Sequence, residues 1–301
     1  MHCISIDLGG TYIKAGLCRI KSEKDREQLK IIILKKIVVL TKNSSASDLL
    51  LQLEQIIKQL SDIVKGQEHY ICIGVPGKIL GNNVSTANLP FKKYDLKKKL
   101  QQRFKYPVFM ENDAKLFALY EAVLGAGRKN KIVLGVTIGT GLGCGIVIDG
   151  KIYRGKGTAG EIGHGTIQYQ VNDVDARIGK HVPGELEEYV SNRGIVLTAK
   201  ENGLRCKTAE EVFLLAEKGN KAARKTLEET GTMLGYGLLN AANTLDPDII
   251  VIGGGVSKAW KYMRKPCEQI LKKAVNKVRV VKSQNADAGM LGAGLLCNQN
   301  P

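Results

Sequence analysis

Residues 5–17, SIDLGGTYIKAGL, and residues 135–147, GVTIGTGLGCGIV, follow one plan: a β-rich strand, a glycine turn carrying threonine, and a second strand. A chain that repeats its own opening at one distant place, and at no short period, predicts two structurally related α/β domains and not a solenoid. The first copy extends into three strands, CISIDLGG, YIKAGLCRI and LKIIILKKIVVL, whose short connections suit an antiparallel meander. Asp48 then caps a helix through LLLQLEQIIKQLSDIV, where Leu49, Leu53, Ile56, Ile57, Leu60 and Val64 share one face. A buried strand, YICIGVPG, ends at a Pro-Gly turn, and PVFMEND hands over to a helix, AKLFALYEAVLG. After the second copy, Asp149-Gly150 predicts a type I′ hairpin turn. A helical stretch, AEEVFLLAEKGNKAARKTLEETGTMLGYGLLNAANTL, and a strand ending in glycines, DPDIIVIGGGVS, follow. No low-complexity linker separates the halves, and the boundary is expected near residue 115.

The composition narrows the function classes. With 301 residues, 44% hydrophobic and 25% charged, the chain can build one large or two ordinary cores. No apolar run reaches the ~18 residues of a membrane span, and MHCISIDLGG enters a strand directly, so a cytoplasmic protein is expected. Seven cysteines, scattered and without a C-x-x-C pair, read as reduced thiols. A net charge of +16 raises the question of nucleic acid. The densest basic run, KKYDLKKKLQQRFK at 92–105, instead reads as the solvated face of a helix, with Leu96, Leu100 and Phe104 on the other side. The charge still favours anionic substrates such as nucleotides.

Three strands break into glycines: DLGGT (7–11), TIGTGLG (137–143) and IGGGVS (252–257). Glycine lets backbone N–H groups approach a phosphate and adopts the positive φ angles of an anion-binding nest. None fits the P-loop or the dinucleotide-binding fingerprint, so neither of those nucleotide folds is expected. Three such turns together point to phosphate binding. Asp7, at a strand end, reads either as a holder of hydrated Mg²⁺ or as a turn cap. TAGEIGHG (158–165) and GELEEYVS (184–191) place Glu161, His164 and Glu187 beside glycines, where they suit sugar hydroxyls; ELEE is equally an ordinary acidic helix start. In ENDA (111–114), Asn112 or Asp113 fits a helix N-cap, and a catalytic carboxylate fits as well.

These motifs in this order resemble the ROK family of sugar kinases, within the actin, Hsp70 and hexokinase superfamily. The resemblance runs from IDLGGT to DAGMLGAGLL and is most specific in GVPGKI (74–79), ANLPF (87–91), ENDA, TIGTGLGCGIVIDGKIYRG (137–155), AGEIGH (159–164) and IGGGVS. It implies two ribonuclease H-like (actin-like ATPase) domains with a sugar and ATP cleft between them, the smaller from residues 1–115 plus about 286–301 and the larger from 116–285. It implies that Asp113 is the general base toward a hexose 6-hydroxyl, and that Asn88, Asn112, Glu161, His164 and Glu187 touch the other hydroxyls, with Gly77 in the wall. Gly9, Gly10, Thr11, Thr137, Gly139, Thr140, Gly141, Gly254 and Gly255 would hold ATP, with Asp7 reaching Mg²⁺ through water. Glu111 receives no role.

The sequence departs from the family at its zinc site, which uses the GH histidine and three cysteines. The aligned positions are Ile178, Lys180 and Glu185, and residues 165–205 contain no cysteine. About four good ligands are needed. No structural zinc is expected, and His181 reads as structural. The loss leaves sugar preference open between glucose or a near relative and N-acetylmannosamine or N-acetylglucosamine. Polyphosphate is an alternative donor, and a homodimer is the expected assembly. The family's repressors add an N-terminal winged helix, for which a first strand beginning by residue 4 leaves no room; a non-catalytic sugar sensor is the reading from another class, disfavoured because Asp113 and all three glycine turns occur together.

Overall fold

A computed structural model describes residues 1–23, 28–168 and 184–299. The chain divides by packing into two units: residues 1–129, 145–159 and 284–301 form the first, and 130–144 with 160–283 the second.

The first unit is built on the expected meander. Strands β1 (His2–Leu8), β2 (Tyr12–Glu23) and β3 (Gln28–Leu40) are antiparallel neighbours. Helix α1 (Ala46–Ser61) follows, then β4 (His69–Val75), a small hairpin of β5 (Lys78–Leu80) and β6 (Asn83–Ser85), helix α2 (Leu96–Phe104) and β7 (Val108–Asn112). β4 lies parallel to β1 and β7 parallel to β4, giving the sheet order β3-β2-β1-β4-β7.

β1 has two distinct faces because successive strand side chains point to opposite sides. Ile4, Ile6 and Leu8 enter the aliphatic core with Leu49, Leu53, Ile57 and Leu60 of α1. Cys3, Ser5 and Asp7 alternate with them onto the other face. That second face carries α3 (Asp113–Val123) and α9 (Ala288–Leu295), which are distant in sequence. The sequence of α9, AGMLGAGL, is small where it must come close. A Cβ at Gly292 would overlap the Leu116 carbonyl of α3, and one at Gly294 would stand 2.6 Å from Ser5 Oγ.

One local expectation is corrected. The cap of α1 is Ser45, not Asp48: Ser45 is extended (φ −147°, ψ 162°) and its Oγ accepts the Asp48 N–H at 3.0 Å. Asp48 sits in the first turn, where its carboxylate accepts from the Ser44 and Ser45 hydroxyls, which hold its pKa below the usual range.

In the second sheet the strand order is β10-β9-β8-β11-β12, formed by β8 (Ile132–Ile138), β9 (Leu142–Ile148), β10 (Lys151–Ile152), β11 (Ile249–Gly253) and β12 (Arg279–Lys282). β9 itself runs across the division between the units. Asp149 and Gly150 both have positive φ, 50° and 72°, as the type I′ turn requires. β8, β11 and β12 are parallel. Among the described residues this unit also holds helices α4 (Glu187–Val190), α5 (Asn192–Glu201), α6 (Ala209–Glu217), α7 (Lys221–Leu245) and α8 (Trp260–Leu271). The long helical stretch of the sequence is thus two helices, broken where Gly219 takes φ 88° and Asn220 caps α7. No helix among the described residues is long and apolar enough to cross a membrane.

Candidate active site

In the first unit, ENDA divides its labour residue by residue. β7 ends at Asn112, whose extended backbone (φ −63°, ψ 139°) and Oδ1, accepting the Lys115 N–H at 3.2 Å, make it the cap of α3. Its Nδ2 donates to the Gly77 carbonyl at 3.2 Å, which ties the cap to the Pro-Gly turn. Asp113 is therefore the first residue inside the helix, with Oδ1 accepting the Ala114 N–H at 2.9 Å. The positive end of the helix dipole favours its ionised form.

Glu111, which received no role from the motifs, is buried and bridges two groups. Its Oε1 accepts the Asn112 N–H at 3.0 Å and its Oε2 accepts Arg154 Nε at 2.6 Å. Lys115, also buried, donates Nζ to the Gly157 carbonyl at 2.6 Å. These contacts fasten the β7–α3 corner to the segment after β10.

Asn88 is exposed on a stapled turn. Thr86 donates its hydroxyl to the Leu89 carbonyl at 2.7 Å and its N–H to Phe91 O at 2.9 Å, while Leu89 and Phe91 are buried. Gly10 lies beside it: a Cβ there would be 3.9 Å from Asn88 Cβ. The DLGGT turn is closed by Gly9 N–H donating to Tyr12 O at 3.0 Å and by Thr41 Oγ1 donating to Gly9 O at 2.7 Å. Thr11 O accepts the Thr41 N–H at 2.9 Å. Asp7 faces the start of α9, its Oδ2 3.0 Å from where a Cβ at Gly289 would stand. Burial pushes its carboxyl above the usual range, with Lys14 opposing and Asp287 adding to the shift.

In the second unit two of the three glycine turns come together. Gly253 of β11 is in register with Thr137 of β8, so both turns leave the carboxyl ends of adjacent parallel strands, the place where open α/β sheets bind ligands. Gly139 N–H donates to Gly141 O at 2.9 Å, Thr137 Oγ1 points at Gly143 O at 3.5 Å, and Thr140 is exposed. Gly254 has φ 82°, and a Cβ on it would overlap the Ile138 carbonyl. Only glycine fits there. Gly254 and Gly255 are both exposed. DLGGT belongs to the first unit.

Glu187 opens α4, and its Oε2 accepts the Leu142 N–H at 2.6 Å, alongside Gly141. The residue expected at a sugar hydroxyl thus braces the TIGTGLG turn. His164 ends a 3₁₀ turn (Ile162–His164). Its Nδ1 lies 3.0 Å from Glu185 Oε2 and its Nε2 3.9 Å from Glu161 Oε2. The hydrogen bond to buried Glu185 raises the His164 pKa above 6.5, against the opposing effect of burial. Leu186 N–H donates to Gly165 O at 2.9 Å and Ile167 N–H to Gly184 O at 2.8 Å, so the segments holding this pair are bonded to each other.

Glu185 is one of the three positions expected to align with the family's zinc cysteines. Ile178 and Lys180, the other two, lie with His181 outside the described residues. Among the described residues no group of three ligating side chains includes His164. A carboxylate on its Nδ1 does not fit the thiolate site of the family.

Sequence reasoning missed Glu185 as a partner of His164, Arg154 and Lys115 altogether, and the role of Glu111. The only signal was the departure from the cysteine pattern at Glu185.

Residues 3–300 match the family model described as ROK family. A protein described as glucokinase from Halalkalibacterium halodurans is 33% identical, with 98% of this chain and 94% of that protein covered. An N-acetyl-D-glucosamine kinase from Pectobacterium carotovorum is 31% identical over 96% of this chain and 97% of its own length. A putative xylose repressor from Caldicellulosiruptor is 33% identical over 84% of this chain and 66% of its own length. Among solved structures, a ROK family glucokinase from Streptomyces griseus in complex with glucose and AMPPNP superimposes with TM-score 0.80, at 28% identity and 100% coverage of both chains.

Proposed function

The chain belongs to the ROK family, and on that premise we propose that it is an ATP-dependent sugar kinase acting on the 6-hydroxyl of glucose or a close relative. The observation that carries the reading is the division of labour in ENDA. Because Asn112 caps α3, Asp113 is placed one residue further on, in the first turn. Its carboxylate takes the proton of the 6-hydroxyl as that oxygen bonds to the γ-phosphorus, and the bond to the ADP oxygen breaks. Phosphoryl transfer asks mainly for positioning and charge stabilisation, so a base and nests of backbone donors suffice.

The remaining roles are those that the family resemblance implies. Asn88, Asn112, Glu161, His164 and Glu187 hold the other hydroxyls, beside Gly77. Gly9, Gly10, Thr11, Thr137, Gly139, Thr140, Gly141, Gly254 and Gly255 hold the nucleotide. The oxygen ligand of Asp7 suits a hard cation, and Mg²⁺ held there through water would neutralise phosphate charge. Glu111, through its bonds to Asn112 N–H and Arg154, keeps the base's corner in place.

A kinase for N-acetylglucosamine or N-acetylmannosamine is the second reading, supported by the relative of that description. A sugar-responsive regulator without catalysis is the third, supported by the repressor relative. Coupled ADP-release measurements over glucose, mannose, fructose and both N-acetylhexosamines, with ATP and with polyphosphate as donors, separate them. Turnover greatest on a hexose with ATP is expected. Turnover greatest on an N-acetylhexosamine favours the second reading, and sugar binding without turnover on any of them rejects the kinase. A homodimer rests on the family resemblance alone, and sedimentation tests it.

A further inference from the structure

The face of the first sheet that α9 covers also gathers three cysteines that the kinase reading does not use. Cys3 lies on β1. Cys72 lies on β4, in register with Ser5, so it sits on the same face one step along the neighbouring strand. Cys297 comes from the turn that follows α9, more than 200 residues later in the chain. The small residues of α9 let the helix approach this face closely enough to bring Cys297 down onto it. The three Sγ atoms all lie within 4.8 Å of one another. Cys3 and Cys72 are buried, Cys297 is half-buried, and all three are free thiols.

Three sulfurs around one point are a ligand set of definite character. Metal–thiolate bonds of about 2.3 Å place three sulfurs about 4 Å apart around a trigonal centre, within the separation observed. Soft thiolates select Cu(I), Zn²⁺ and related thiophilic cations, and they are poor ligands for the hard Mg²⁺ that a kinase carries with its nucleotide. Next to the cluster, Cys297 Sγ lies 3.0 Å from the Gly294 carbonyl and Cys3 Sγ 3.8 Å from Ser5 Oγ. Oxygens are thus at hand to complete a fourth position. The half-buried Cys297 gives the ion a side from which to enter.

We propose that Cys3, Cys72 and Cys297 form a binding site for a single soft, thiophilic cation, separate from the sugar and nucleotide residues. Binding forms three metal–sulfur bonds and releases to solvent the protons of those thiols that were protonated, with no change in oxidation state. The ion joins β1, β4 and the turn after α9. It therefore fastens a helix that packs on α3 through Gly292 and faces Asp7 through Gly289.

The test uses the full chain, reduced and metal-stripped, titrated with Cd²⁺ while the thiolate-to-metal charge-transfer band is followed in the ultraviolet. One equivalent bound tightly, with the band saturating there and a raised Tm in the loaded protein, is the expected result. Cys297→Ala should abolish that first equivalent, and Cys206→Ala, at a cysteine outside the trio, should retain it. A wild-type chain with no charge-transfer band, or a Cys297→Ala chain that titrates like wild type, overturns the proposal. X-ray absorption on the loaded wild-type protein gives a reading that does not depend on any variant folding. A first shell of three sulfurs supports the site, and one dominated by oxygen or nitrogen refutes it.

Discussion

Replacing Asp113 and Asn112 one at a time separates two roles that are adjacent in sequence. Asn112 supplies both a helix cap and a side-chain bond to Gly77. Asn112→Ala should lose about 1 kcal/mol for the cap and about 0.5–1.5 kcal/mol for the second bond, roughly 2 kcal/mol of stability in all. Asp113 accepts the Ala114 N–H with Oδ1 and places a negative charge in the first turn. Asp113→Asn keeps the shape and removes the charge, for about 0.3–1 kcal/mol. Its effect on turnover should be far larger, about 10²–10⁴-fold in kcat, or about 3–5 kcal/mol of transition-state stabilisation. Urea midpoints and coupled ADP-release rates at saturating sugar and ATP measure the two quantities on the same preparations. The general-base role is refuted if Asp113→Asn keeps its kcat within tenfold of wild type.

Three further outcomes are expected. Gly254→Ala forces a side chain into positive φ and onto the Ile138 carbonyl, so it should cost at least about 2 kcal/mol in urea unfolding; a neutral variant would contradict the turn geometry. Arg154→Ala leaves the Glu111 carboxylate buried without that guanidinium and should cost about 1–3 kcal/mol, read from the same urea midpoints. The Glu185 carboxylate raises the His164 pKa, so the ion pair adds stability that is complete below pH 6.5 and disappears as pH climbs through the higher folded value. Glu185→Gln should move the His164 midpoint downward in an NMR titration, and an unmoved midpoint would remove Glu185 as the cause.

Much of this architecture was legible where the signal is local. The meander, the face of α1 and the strand ends in glycine follow from residue type and spacing over a few positions. The errors were local too: Ser45 and Asp48 are both good caps, and only the extended backbone of Ser45 decides between them. ENDA was ambiguous for the same reason, since Asn112 and Asp113 are equally able to cap. What remained illegible joins distant positions. Glu111 meets Arg154 across 43 residues and Cys3 lies with Cys297 at opposite ends of the chain. Neither pairing leaves a mark in spacing. Glu185 was visible only as a missing cysteine, and its bond to His164 left no mark in spacing.

The cover that α9 places over β1 has a consequence for synthesis. The inner face of β1 finds α1 within the first 61 residues, but its other face is covered by residues 288–295. A nascent chain can therefore collapse one side of its first sheet early, and must carry Cys3, Ser5 and Asp7 uncovered by α9 until residues 288–295 have been made. The second unit's strands and helices emerge in between. Completion of the first unit depends on contacts of the longest sequence separation available, which fold slowly. A chain cut before residue 288 would keep every residue of the second unit and leave β1, which carries Asp7, without its α9 cover.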